Sequence, residues 1–168
     1  MTTGPSVPAA GPPLVTVAMP VLDEEAQVAA SIASVLEQTL GDLELLVVDG
    51  GSTDGTLDRV RPLAARDPRV RVLENPHRTI PRALNIALGQ ARGRYLARVD
   101  GHGTIEATYL ARAVTALDAD PRLGAIGGLR VGVARTAAGV AVATALSSRF
   151  GVGDSINHYA RTAQETDH

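Results

Sequence analysis

The 168-residue sequence has no cysteine, no lysine and no tryptophan, and its aromatic complement is three tyrosines and one phenylalanine. Without cysteine there is no disulfide framework, no thiol nucleophile and no Cys-ligated zinc, which fits a reducing compartment. Without lysine every one of the 16 basic residues is arginine, and the lysine clamp of a phosphate-binding P-loop is missing. So few aromatics leave little on which to stack bases or sugar rings, and single-strand nucleic-acid platforms and aromatic-lined lectin sites are disfavoured. The 16 basic residues are set against 18 acidic ones, a formal net charge of -2, so no bulk basic footprint points to nucleic acid or an anionic membrane. Residues 1–13 are rich in Pro, Gly, Ala and Thr and lack the basic and apolar regions of a signal peptide; they read as a disordered tail. The longest near-apolar stretch towards the C-terminus, residues 137–146, is roughly half the ~20 residues a membrane span requires, so nothing within this chain is expected to cross a bilayer.

What is present is a 45% hydrophobic chain of a length suited to one compact domain. Residues 14–21 read as a buried strand, followed by a helix over 24–38 in which Val28, Ile32, Val35 and Leu36 share a face. The run Leu45, Leu46, Val47 and Val48 predicts a second strand, 43–49, covered on both faces. A loop over 50–55 leads to a helix over 56–66 that Pro62 bends or interrupts, and residues 70–73 form a third strand. Pro81 opens a third helix with Leu84, Ala87 and Leu88 on its apolar face and Gly93 as its C-terminal cap. A fourth strand over 94–99, a helix over 105–117, a fifth strand over 123–128 and a helix of small apolar residues, or a loop with a short helix, over 136–148 complete the expectation. Strands alternating with helices at this spacing specify an α/β domain with a mainly parallel central sheet, because parallel neighbours need crossover connections.

In open parallel sheets ligands bind beyond the carboxyl ends of the strands. Here those ends are polar: Asp23-Glu24-Glu25 after the first strand, Asp49 to Gly55 after the second, Asn75-Pro-His77-Arg78 after the third and Asp100-Gly-His102 after the fourth. Each cluster alone has a second explanation. Glu24 and Glu25 favour a helix N-terminus, and Ser52, Thr53 or Asp54 can cap the helix that follows. Asp100 and His102 flanking a glycine suit a divalent ion, Mn²⁺ or Mg²⁺, with phosphate oxygens and water completing the shell; the competing reading is a turn-capping Asp beside an exposed His. The dinucleotide fingerprint is not met, because Gly50, Gly51 and Gly55 have the wrong spacing and follow the second strand.

Three segments, taken together, resemble family 2 glycosyltransferases. Residues 15–24, ending Pro20-Val-Leu-Asp23-Glu24, resemble the family's opening strand and its Pro-x-x-Asn-Glu, with Asp23 in place of Asn. Residues 46–56 resemble its second motif, in which Asp49 would contact the nucleoside and Gly50 replaces a frequent second Asp. Residues 83–102 resemble the run into the family's Asp-x-Asp, with His102 at the last position, as in a subgroup similar to enzymes of succinoglycan-type exopolysaccharide synthesis. The resemblance implies a GT-A (Rossmann-like) three-layer sandwich and an inverting transfer from a nucleotide-sugar, UDP-linked, to a glycan or lipid-linked acceptor in polysaccharide biosynthesis. It implies Asp100 and His102 as metal ligands, and Pro20, Glu24, Asp49 and Asp100 in nucleotide-sugar binding. Arg78 or Arg82 would add charge-assisted hydrogen bonds to the diphosphate, although each also reads as a solvated helix start.

An inverting transfer also needs a general base. The family's later Glu-Asp type motif, and the Gln-x-x-Arg-Trp segment found in some members, are not found in these residues, so the catalytic base is left unassigned. The chain reads as the donor-binding half of a longer enzyme: tail 1–13, nucleotide-sugar-binding domain 14–132, and the start of an acceptor-side region 133–168. A cytoplasmic location follows, at the inner face of the cell membrane if a C-terminal part beyond this chain associates with it. The alternative from a different class is a non-catalytic nucleotide-binding or interaction module.

Overall fold

The computed structural model describes residues 11–128. Eight elements alternate along them: β1 (Val15–Val21), α1 (Val28–Leu36), β2 (Leu43–Asp49), α2 (Thr56–Arg66), β3 (Val70–Glu74), α3 (Ile80–Gln90), β4 (Tyr95–Arg98) and α4 (Tyr109–Ala119). The chain divides into two compact units, Met1–Asp118 and Ala119–His168, and the whole sheet lies in the first. Among the described residues of the second, Arg122 closes a turn onto Asp120 at 2.7 Å. The helix expected over 136–148 lies outside the described residues.

The strands form one parallel sheet in the order β3-β2-β1-β4. Every residue of β1 and β2 is buried, which explains why their sequences are continuous apolar runs and not alternating ones. On one face, Val15, Val17 and Met19 of β1 and Leu43, Leu45 and Val47 of β2 pack with Val28, Ile32 and Val35 of α1, Val60 of α2 and Leu110 and Val114 of α4. On the other, Ala18, Leu46 and Val48 meet Ala83 and Ala87 of α3. The result is the three-layer α/β sandwich expected.

The larger departures from expectation each have a local reason. Helix α1 begins at Val28, because residues 23–25 are drawn into hydrogen bonds with the loop after β2. Helix α4 begins at Tyr109: Ile105, Glu106 and Ala107 are tied to the end of α1 through Ser34, Gln38 and Thr39. Gly93 does not cap α3, whose C-cap is Ala91; a Cβ at Gly93 would strike the Val15–Thr16 backbone of β1, so this glycine permits a close crossing. Residues 123–128 carry no strand; Gly124, Gly127 and Gly128 weaken any extended pairing there. Helix α2 runs through Pro62 without a break, with Val60 fully buried beneath it.

Candidate donor site

The loops after β1 and β2 clasp each other at the carboxyl edge of the sheet. Glu24 N donates to Thr56 Oγ1 at 2.7 Å and Glu25 N donates to Asp54 Oδ2 at 3.1 Å. In return, Thr53 N donates to Asp23 Oδ1 at 2.7 Å and Gly55 N to Glu25 Oε2 at 3.3 Å. Asp23 adopts φ 53°, a left-handed conformation that Asp tolerates better than most side chains. The Thr56 hydroxyl and backbone N–H both donate to Asp54, whose carboxyl is held below its ordinary range first by the hydroxyl bond. Asp54 therefore organises the start of α2, as a cap would. The side chains of Glu24 and Glu25 do not bond to α1: they go to His102, and to Gly55 and Arg59.

Pro20 explains how the fourth cluster leaves the sheet. The β1–β4 ladder stops at the pair Ala18–Arg98, and Pro20, two residues on, has no N–H with which to continue it. The chain beyond β4 is thus free to turn at Asp100-Gly101-His102. That turn is pinned nonetheless: Gly101 N donates to Pro20 O at 3.3 Å, Gly103 N to Asp100 O at 2.9 Å, and Ser31 Oγ to Gly101 O at 2.8 Å in a buried bond. A Cβ at Gly101 would sit 2.8 Å from Val21 Cγ1, so the turn lies tight on the end of β1.

A cleft of about 320 Å³ opens beside this turn, lined among others by Pro20, Glu24, Arg78, Asp100 and His102. These five are residues expected at the site. Its floor and walls are apolar, from Val48, Ala83, Leu22 and Ile80, and the last two remain exposed. His102 Nδ1 lies 2.7 Å from Glu24 Oε1. Asp100 accepts from Arg98 Nε at 2.7 Å and from Arg98 Nη2 at 3.2 Å in a two-point ion pair. Arg78 has φ 56°, with its guanidinium over Gly51.

Two expected residues are not on the cleft. Asp49 does not line the cleft, although its register partner Val21 does. Its buried carboxylate accepts from Gly51 N at 3.0 Å and from Ser52 N and Oγ, so it shapes the loop. Arg82 is exposed in the first turn of α3. Conversely, Arg98 has no place in the sequence-based site, and Asn75 enters it only as part of the polar end of the third strand. Arg98 and Asp100 have Arg-x-Asp spacing, which strand alternation places on one side. Asn75 is buried, receives His77 N at 3.2 Å and donates to Thr79 O at 3.0 Å, folding the loop that carries Arg78.

Among the described residues no group of three His, Cys, Asp or Glu side chains is arranged to hold a metal ion. The cleft offers instead the carboxylate of Asp100 and the imidazole of His102, with the second carboxylate, Glu24, against the imidazole. That donor set fits an oxygen-preferring divalent ion that takes its remaining ligands from substrate phosphates and water.

The profile of glycosyl transferase family 2 matches residues 16–141. The chain belongs to this family. It is 42% identical over 102 residues to the succinoglycan biosynthesis protein ExoA of Rhizobium meliloti, covering 58% of this chain and 31% of that protein. It is 41% identical over 88 residues to the Escherichia coli UDP-Glc:α-D-GlcNAc-diphosphoundecaprenol β-1,3-glucosyltransferase WfgD, covering 52% of this chain and 34% of the enzyme. Among solved structures, the mannosyltransferase PcManGT of Pyrobaculum calidifontis, in complex with GDP-Man and Mn²⁺, superposes with a TM-score of 0.65 at 34% identity, over 70% of this chain and 36% of that one. The fold is that of the GT-A glycosyltransferases, and the chain spans about a third of the length of each of these proteins.

Proposed function

We propose that this chain is the donor-binding half, centred on residues 14–132, of an inverting glycosyltransferase that takes its sugar from a nucleoside diphosphate, UDP, and delivers it to a glycan or lipid-linked acceptor. The observation that carries this reading is the convergence of Asp100, His102, Glu24 and Arg78 on one cleft at the carboxyl edge of a parallel sheet. The diphosphate lies towards Asp100 and His102, with Arg78 on its flank and Arg82 in the first turn of α3. The clasped 49–56 loop presents backbone to the nucleoside, and Asp49 acts there by holding Gly51 and Ser52 in place. A divalent ion, Mn²⁺ or Mg²⁺, held by Asp100 and His102 would neutralise the charge that develops on the departing diphosphate. The base that deprotonates the acceptor hydroxyl belongs to the acceptor-side part, beginning at 133–168. Among the described residues no helix is long and apolar enough to cross a membrane. A place at the inner membrane face rests on the lipid-linked acceptor of the glucosyltransferase relative.

Calorimetry of the chain with UDP, in the presence and absence of Mn²⁺, tests the reading. We expect binding that requires the metal and is lost in Asp100→Asn, with unchanged thermal stability. No binding at millimolar UDP and Mn²⁺ would overturn it.

A further inference from the structure

The Glu24–His102 contact joins two loops whose backbones are fixed independently of it. Glu24 is held through its N–H on Thr56 Oγ1 and through its carbonyl, which accepts from Gln27 N at 3.0 Å and Val28 N at 2.9 Å. His102 follows a turn fastened to Pro20 and Ser31. The side chains meet at the cleft wall, where the glutamate is 20% exposed and the imidazole 59%. A carboxylate only accepts hydrogen bonds, so in the neutral imidazole the proton facing it must sit on Nδ1, and Nε2 keeps its lone pair. The ring nitrogen that remains is therefore a donor atom for a cation, not a hydrogen-bond donor that would repel one.

We propose that Glu24 is a positioning residue that fixes His102 as its Nδ1–H tautomer, and so sets the affinity of the Asp100–His102 pair for a divalent ion. The chemistry is that of an outer-shell carboxylate on a metal-ligating histidine, which orients the ring and raises its basicity. It accounts for a feature that capping does not: the carbonyl of Glu24 receives the first N–H groups of the helix start, but its carboxylate makes no bond there and reaches instead across 78 residues of sequence to the imidazole. The inference rests on the proposed metal-holding role of Asp100 and His102, and the test separates the two.

The first measurement is the tautomeric state of His102 in the metal-free 168-residue chain, read by ¹⁵N NMR of the imidazoles and assigned with His102→Ala. The Nδ1–H form is expected in the wild type and Glu24→Gln, whose amide oxygen can still accept, and the Nε2–H form in Glu24→Ala. The second is Mn²⁺ affinity in the presence of UDP. Glu24→Ala should lower it about 10–100-fold, the range for outer-shell partners, while Glu24→Gln stays within a few-fold of wild type. Far-UV circular dichroism confirms that both variants fold. An Nε2–H ring in the wild type, or equal Mn²⁺ affinity in wild type and Glu24→Ala, overturns the inference. If the wild type binds no Mn²⁺ with UDP, the proposed metal role fails, while the tautomer still reports whether Glu24 sets the ring.

Discussion

At the scale of single residues, the most constrained charge lies at the opposite end of the strands from the cleft. Glu44, 1% exposed in β2, accepts from Thr16 Oγ1 at 2.8 Å, Arg92 N at 2.8 Å and Arg92 Nη2 at 2.7 Å, with Arg71 Nη1 at 3.4 Å. Burial pushes its carboxyl up, but the Arg92 side-chain and backbone bonds and the Thr16 hydroxyl outweigh it, and the net direction is below the ordinary value. A carboxyl lowered by folding stabilises the protein above its unfolded pKa, and that contribution is lost as pH falls through the folded one. Thermal melts between pH 7 and pH 3 should show a falling midpoint in the wild type below the usual glutamate range. Glu44→Gln should flatten that slope and cost about 1–3 kcal/mol at pH 7, because it weakens charge-assisted bonds to a buried group. An unchanged acid slope would show that other carboxylates carry it. Nothing in the sequence marks this residue: Glu44 sits inside an apolar strand, and its partners are 28 and 48 positions away. Asp100 and His102 were legible, by contrast, because a glycine-centred turn just after a strand advertises itself locally.

At the scale of elements, one device holds the site's loops in place and a second fastens the far end of the sheet. The Thr56 hydroxyl donates to Asp54 and accepts from Glu24 N, so one side chain ties the start of α2 to the loop after β1. Thr56→Val keeps the shape and removes both bonds. Urea unfolding should show a loss of about 1–3 kcal/mol, UDP affinity with Mn²⁺ should fall with it, and Thr56→Ser should restore both. Gly93 is the second device. Its crossing over the Val15–Thr16 backbone leaves no room for a methyl group, and Gly93 N also donates to Thr16 Oγ1 at 2.8 Å. Gly93→Ala should therefore destabilise by roughly 1–3 kcal/mol, as overpacking does, with the chevron or melt shifted and the cleft chemistry intact. The glycine was visible in the sequence. Its reason was not, because a cap and a close crossing leave the same local signature until the partner strand is known.

At the scale of the whole molecule, the parallel sheet and its order of layers follow from the alternation of apolar runs and amphipathic helices, and β1 to β4 emerged within a residue or two of their expected bounds. The exception, residues 123–128, is a segment whose apolar residues suggested a strand while its glycines opposed one. The site was legible as a set of four polar strand ends, but not which side chains are spent within their own loop: the Asp49 carboxylate accepts from Gly51 N and from Ser52 and does not line the cleft. The proposed function requires a nucleoside diphosphate and its metal ion to be held at this cleft by Asp100 and His102. Pulsed electron paramagnetic resonance of Mn²⁺ bound with UDP to the ¹⁵N-histidine-labelled chain tests it most directly. A coupling from one imidazole nitrogen is expected, absent in His102→Ala. Bound Mn²⁺·UDP without any nitrogen coupling, or with one that persists in His102→Ala, would contradict it.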